Sequence, residues 1–530
     1  MRIRRAAVAG LAVLGLVTGC GSAGASHGPS PASAASAPAG QGGSSDAATP
    51  TASPLQPLPA AIPDNLRPYY SQQLAWTGCD SGFQCTTFKV PLDYANPSAG
   101  DITLSAVRRP AVARGGSRLG SLLVNPGGPG GSAIQYAEYA ALSYPLAVRD
   151  AYDIVGLDPR GVGRSSPVTC LSDAQMDAFT QVENGVPSGA ASIAALEQMD
   201  KQFAQACAAR SGQLLGHVST VEAARDMDVL RALLGDARLN YLGKSYGTFL
   251  GATYAGLFPS RVGRMVLDGV LDPSLDAVTL DREQAGGFEI AFDAFAADCV
   301  KRAGCPLGTT TAAAGQKLSQ LFGSWQSHPL PTGQSRDLDQ ALGMTGVIAA
   351  MYDQEQWPQL RTALSRAEQG DGSALLALSD QYYERDPHGS YTNLMAANTA
   401  VDCLDDPAPA TTAQQVEQQL PAFEKASPHF GASLAWAGLS CAYWPVKATG
   451  RPHTTPAVGA PPIVVVGTTR DPATPYAWAR SLAGQLSSGR LLTYDGDGHT
   501  AYSRGSDCID TAVDRYLLAG TVPAAGTVCH

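Results

Sequence analysis

A short apolar run, Leu239-Asn240-Tyr241-Leu242, leads into Gly243-Lys244-Ser245-Tyr246-Gly247, and a helix-like stretch from Thr248 to Phe258 follows. The pattern reads as a strand that turns sharply into a helix, with a serine at the tip and glycine on both sides. A side chain at either glycine would collide with the neighbouring strand or helix, so this turn demands an open sheet with helices packed on it. It also suits chemistry, because a serine hydroxyl is a poor nucleophile that must stand clear of the backbone beside a general base. With 57 glycines in 530 residues, roughly half an occurrence of G-x-S-x-G is expected by chance. Gly24-Ala25-Ser26-His27-Gly28 is such a match, in a low-complexity stretch with no strand before it and no helix after it. Context selects Ser245.

A serine nucleophile needs a base, an orienting carboxylate and an oxyanion hole, each near the C-terminal end of a strand in an open α/β sheet. The buried-strand run Ile463-Val464-Val465-Val466 ends in Thr468-Thr469-Arg470-Asp471-Pro472, which offers Asp471. The strand-like Arg490-Leu491-Leu492-Thr493-Tyr494 runs into Asp495-Gly496-Asp497-Gly498-His499, which offers His499 on a glycine-rich loop. Alone, Asp471 reads as a turn residue and His499 as a surface histidine. Their order after Ser245 and the strand before each make the expected triad Ser245, Asp471 and His499. Leu122-Leu123-Val124-Asn125 leads into Pro126-Gly127-Gly128-Pro129-Gly130-Gly131-Ser132, so the backbone N–H groups of Gly128 and Tyr246 are the expected oxyanion donors. The segment Tyr152 to Ser165 is another strand and turn. It lacks the G-x-G-x-x-G fingerprint of a nucleotide site, and Asp158, Arg160 and Arg164 are expected to brace the wall beside the elbow.

A net charge of −10 and the lack of a basic stripe beyond the first five residues argue against nucleic acid. Arg2, Arg4 and Arg5 precede an apolar run from Ala6 to Val17 that is shorter than the ~20 residues of a membrane span. This is the layout of an export signal over residues 1–19. The small residues before Cys20 resemble a bacterial lipobox, which implies lipid attachment at Cys20; the alternative is an ordinary signal in which Cys20 is incidental. Residues 20–59 are rich in Ala, Ser, Gly and Pro and read as a flexible tether. Removing Cys20 from the 11 cysteines leaves ten: Cys79, Cys85, Cys170, Cys207, Cys299, Cys305, Cys403, Cys441, Cys508 and Cys529. In an oxidising compartment these suggest disulfides of open connectivity, with sequence-neighbour pairing the simplest arrangement. No C-x-x-C occurs and no two histidines lie three or four residues apart, so no metal is expected.

Together these motifs resemble the α/β-hydrolase peptidases related to proline iminopeptidase, and more closely the actinobacterial secreted and lipoprotein tripeptidyl aminopeptidases. The resemblance rests on Val90-Pro91-Leu92-Asp93-Tyr94, Asn125 to Gly130, Asp158 to Gly161, Gly243 to Thr248, Asp471-Pro472-Ala473-Thr474-Pro475 and Gly498-His499. It implies an α/β-hydrolase fold, a mostly helical lid over the site, no cofactor, and release of short peptides, often tripeptides, from free N-termini. The core is then expected over residues 60–272 and 454–530, with the cap at 273–453. Apolar residues at helical spacing over Arg282 to Cys299, Asp337 to Tyr352, Trp357 to Arg366 and Thr411 to Leu420 fit that cap. An exopeptidase holds a free ammonium best with a carboxylate. In Val401-Asp402-Cys403-Leu404-Asp405-Asp406, Asp402 or Asp405 is the candidate, against a solvated acidic turn.

The expectation is an exported, monomeric serine exopeptidase whose partners are peptide N-termini and, through a lipid, the outer face of the cell membrane. Two rivals stand beside it: a carboxylesterase or lipase on the same fold, and a non-catalytic peptide-binding envelope lipoprotein.

Overall fold

A computed structural model describes residues 52–79, 82–112 and 118–530. The expected export signal, Cys20 and the expected tether up to residue 51 lie outside the described residues. A ten-stranded sheet runs through the molecule, with strands β1 (Thr77–Gly78), β2 (Gln84–Pro91), β3 (Asp101–Arg109), β4 (Ser121–Asn125), β5 (Asp153–Leu157), β6 (Leu239–Lys244), β7 (Val262–Asp268), β8 (Ile463–Arg470), β9 (Gly489–Asp497) and β10 (Val528–Cys529). Their spatial order is β10-β9-β8-β7-β6-β4-β5-β3-β2-β1. The first three pair antiparallel at one edge, and every other pairing is parallel.

The parallel strands are apolar on both faces because helices cover both. Alternation along each strand divides them: Leu123, Tyr241, Met265 and Val465 enter one core, and Leu122, Leu242, Val266 and Val464 the other. The helices Thr220–Leu233, Tyr246–Leu257 and Tyr476–Gln485 pack on the first face. Helices Ala133–Ser143 and Asp507–Ala519 pack on the second.

Between β7 and β8 the chain leaves the sheet and builds eight α-helices from Ala277 to Ala437. They enclose a separate core that includes Phe288, Phe292, Phe295, Trp325, Trp357 and Phe430. Side-chain caps start several of them: Asp276 accepts from the Thr279 N–H at 2.8 Å and Asp339 from the Leu342 N–H at 2.9 Å.

The cap is wider than the interval 273–453. Helices Asp173–Thr180 and Ala190–Ser211, inserted after β5, pack Leu196 into a cluster with Val416, Phe423 and Trp436 of the cap. Asn184 between them donates to the Tyr383 hydroxyl at 2.9 Å. Ala190–Ser211 is rich in alanine with few large apolar residues, and it buries only Leu196, Asp200, Phe203, Ala204 and Cys207, so no apolar face marked it as part of a lid. The tether also ends earlier than residue 59. Ser53–Pro54 pairs with His453–Thr454, and the Leu58 N–H donates to the Leu257 carbonyl at 2.9 Å, because Leu55 and Leu58 pack on the core.

The cysteines pair as Cys79–Cys85, Cys170–Cys207, Cys299–Cys305, Cys403–Cys441 and Cys508–Cys529. Cys403–Cys441 ties the cap helix Leu394–Asp405 to the segment that returns towards β8.

Arg160 is fully buried, and all five of its N–H groups have acceptors. Nε and Nη2 form a fork on the Asp226 carboxylate, each at 2.7 Å. Nη1 donates to the carbonyls of Leu92 and His217, both at 2.9 Å, and Nη2 to that of Pro91 at 3.1 Å. One side chain thus joins the end of β2, the turn after β5 and the Thr220–Leu233 helix. Arg164 has no such role: its side chain is exposed, and only its backbone is engaged, donating to Asp158 and accepting from Ser105. Arg160→Met would leave the Asp226 carboxylate buried and uncompensated, and is expected to lower the unfolding free energy by about 3–5 kcal/mol in urea titration. A loss below about 1 kcal/mol would show that this network contributes little.

Candidate active site

Three loops at the C-terminal ends of parallel strands converge on Ser245. Ser245 follows β6 with φ 55° and ψ −130°, a sparsely populated conformation for a residue with a side chain. Its neighbours hold it there. The Ser245 N–H donates to the Asp268 carbonyl at 3.0 Å, and the Ser245 carbonyl accepts from the Thr248 N–H at 2.8 Å and the Thr248 hydroxyl at 2.6 Å. The Tyr241 hydroxyl donates to the Gly247 carbonyl at 2.6 Å.

The loop after β4 presses against this turn. Gly127 has φ +97°, and a Cβ there would lie 2.6 Å from the Lys244 carbonyl oxygen and 2.8 Å from both Ser245 Cβ and the Tyr246 nitrogen. Only glycine fits. The Gly127 N–H is committed to Asn125 Oδ1 at 2.9 Å, while Gly128 and Ser245 border the same two cavities. Tyr246 is the first residue of its helix, where backbone N–H groups have no intrahelical acceptor. Asp158 anchors the far end of the loop, accepting from the Ser132 hydroxyl at 2.8 Å and the Ile134 N–H at 3.0 Å.

Asp471 lies just past β8 with its side chain wholly buried. It accepts from the N–H groups of Ala473 at 3.0 Å, Thr474 at 2.9 Å and Thr500 at 3.2 Å. Those bonds aim its two oxygens at His499 Nδ1, 2.8 and 3.0 Å away. Thr474 Oγ1 lies 3.3 Å from the same nitrogen. Gly269, φ +70°, leaves room for the imidazole: a Cβ there would sit 3.1 Å from His499 Cε1. With Nδ1 held, Nε2 is the ring nitrogen left to act, and it is buried without a hydrogen-bond partner among the described residues. His499 and Ser245 line one cavity of about 380 Å³. Structure thus brings Ser245, His499, Asp471, Gly128 and Tyr246 to one place.

A neighbouring cavity of about 340 Å³, which also reaches Ser245 and Gly128, is bordered by the carboxylates Asp281, Asp402, Asp405 and Asp406. Asp402 is the one most open to it. Burial, reinforced by Asp405, Asp281 and Asp406, pushes its carboxyl well above the ordinary range. Burial first and neighbouring carboxylates second push Asp406 up to about 8 and Asp281 up to about 7. Asp405 is differently placed. The Thr220 N–H and hydroxyl donate to it at 2.8 and 2.5 Å, and the Tyr246 hydroxyl donates in turn to Thr220. Burial outweighs those bonds and brings Asp405 up to about 7. The two candidates for ammonium binding therefore differ: Asp402 faces the cavity, and Asp405 braces the elbow.

Sequence reasoning missed Asp281, which comes from the cap helix Ala277–Cys299, and Glu183, a further cavity carboxyl that burial raises to about 8. No local signal marks either one, since each becomes an interior charge only when helices distant in sequence close over it. The cap helix Leu394–Asp405 spans the site: Asn398 donates to the Pro129 carbonyl of the glycine loop at 3.2 Å, and Asp402 and Asp405 follow further along.

A family described as TAP-like protein matches residues 427–529. Serine protease Hip1 of Mycobacterium tuberculosis (strain ATCC 25618 / H37Rv) is 40% identical over 483 residues, covering 87% of this chain and 92% of the relative. Carboxylesterase B from the same strain is 38% identical over 486 residues, covering 87% and 91%. Tripeptidyl aminopeptidase of Streptomyces lividans is 35% identical over 462 residues, covering 84% and 83%. With relatives this similar matching it over nearly their whole length, the chain belongs to the α/β-hydrolase family of TAP-like serine proteases and tripeptidyl aminopeptidases.

Proposed function

We propose that this protein is an exported serine exopeptidase that releases short peptides, tripeptides foremost, from free N-termini. Ser245 Oγ attacks the scissile carbonyl while His499 Nε2 takes its proton, and Asp471 holds the imidazole through Nδ1. The N–H groups of Gly128 and Tyr246 stabilise the tetrahedral oxyanion. His499 then returns the proton to the leaving amine, and water hydrolyses the acyl-enzyme.

The observation that carries the reading is the carboxylate-lined cavity beside Ser245. Along a helix that rises 1.5 Å per residue, Asp402 and Asp405 lie roughly 6 and 10 Å beyond Asn398, which touches the oxyanion loop. Two to three extended residues span about that distance. A substrate held by its ammonium at Asp402, about two extended residues beyond Asn398, therefore presents a peptide bond close to its N-terminus to Ser245. Ester hydrolysis at the same serine is the second reading, favoured by the relative named Carboxylesterase B. Four clustered carboxylates suit a cationic substrate better than a neutral ester.

Export and lipid attachment belong to the same proposal, supported by the basic and apolar leader and the small residues before Cys20. Radiolabelled palmitate is expected to enter the parent protein and not Cys20→Ala.

Ser245→Ala should lower kcat by about a million-fold and abolish fluorophosphonate labelling. Mass spectrometry of a digested peptide library should show N-terminal tripeptides; internal cleavage or turnover of esters alone would overturn the exopeptidase reading. Asp402→Asn is expected to raise KM for free-amino peptides by about tenfold or more, as loss of one charged hydrogen bond does, and to leave N-acetylated esters unchanged. Asp281 and Asp406, which border the same cavity and are raised to about 7 and about 8, are neutral in more acid solution, and only their ionised forms attract an ammonium. KM for free-amino peptides should therefore fall as pH rises from about 6 to about 8, then climb as the substrate amine, with a pKa of about 8, loses its own proton. N-acetylated esters should show neither limb.

A further inference from the structure

The loop that carries His499 is fastened to the cap as well as to the core. On the core side Asp268 accepts from the Ala501 N–H at 3.0 and 3.2 Å and the Tyr502 N–H at 3.0 Å. Lys244 Nζ, next to the nucleophile, donates to the Tyr502 carbonyl at 2.7 Å. On the cap side the His499 N–H donates to the Tyr352 carbonyl at 2.8 Å. The Tyr352 ring stands edge-on to the imidazole, centroids 5.4 Å apart and planes at 85°. Next along the chain, Asp353 forms an ion pair with Arg504 Nη2 at 2.8 Å. Tyr352 and Asp353 follow directly after the helix Gln340–Met351, which is buried along its whole length in the cap core. That corner therefore moves only with the cap.

We propose that the Tyr352–Asp353 corner of the cap positions His499, with the Asp353–Arg504 pair as the latch between cap and histidine loop. The inference rests on the Ser245–His499 reading above. Asp471 orients the ring through Nδ1 and holds the Thr500 N–H, and the cap supplies the contact at the backbone N–H of His499 itself. A displacement of about 1 Å at the base is enough to cost about a hundredfold in rate. Cap and base thus form one assembly.

Asp353 and Arg504 are both partly exposed, so their variants should fold, as thermal unfolding would verify. Asp353→Ala and Arg504→Ala are each expected to slow fluorophosphonate labelling of Ser245 by about tenfold, a share of the full misplacement cost. Both should lower kcat on N-acetylated esters by a similar factor and leave KM within about twofold. The exchanged pair, Asp353→Arg with Arg504→Asp, is expected to recover most of the labelling rate. Folded single variants that label at the parental rate would overturn the latch, as would an exchanged pair no faster than the slower single variant. A parent protein labelled no faster than Ser245→Ala would instead overturn the catalytic reading beneath it.

Discussion

The contact on which the rest depends is the close approach of three backbone segments at the sheet's C-terminal edge. The Lys244–Tyr246 turn, the Gly127–Gly128 loop and the Gly269 junction meet at distances that leave no room for a Cβ at Gly127 and little at Gly269. Ser245 is held there in a conformation that costs about 1–3 kcal/mol, and its N–H bond to the Asp268 carbonyl, with the bonds donated by Thr248 and Tyr241, offsets it. The parallel sheet supplies the geometry: β4, β6, β7 and β8 are neighbours with the same direction, so their C-terminal loops share one edge. The serine, oxyanion donors, carboxylate and base could not meet if those strands were ordered otherwise.

Over this edge the cap makes a second environment of opposite character. The elbow is lined by backbone dipoles, whereas the adjoining cavity gathers carboxylates from the cap helices Ala277–Cys299 and Leu394–Asp405. Burial first and their mutual repulsion second raise several of them towards neutrality. Asp405 links the two environments through Thr220 and Tyr246.

Much of the site was legible in the sequence because each member follows a recognisable strand. Ser245, Asp471 and His499 all stand one or two residues past β6, β8 and β9, strands whose apolar runs the sequence shows. The glycine loop was legible for the same reason, and the ten cysteines join as sequence neighbours. The cap was visible as an overlong connection, but its share from Asp173 to Ser211 was not, since Ala190–Ser211 buries too few apolar residues to show a face. Asp281 and Tyr352 were invisible as site residues. Nothing local distinguishes an acidic helix residue facing solvent from one facing a cavity.

The sequence by itself determined the elbow, the order of the reacting groups and the strands that carry them, because glycine at a crowded turn and apolar runs in parallel strands are local requirements. Tertiary structure alone decided which carboxylates become interior charges, that Asp405 braces while Asp402 faces the cavity, and that the cap touches His499 through Tyr352 and its loop through the Asp353–Arg504 pair. Those outcomes depend on helices more than a hundred residues apart in sequence closing on one cavity, where burial and proximity, not residue type, set the chemistry.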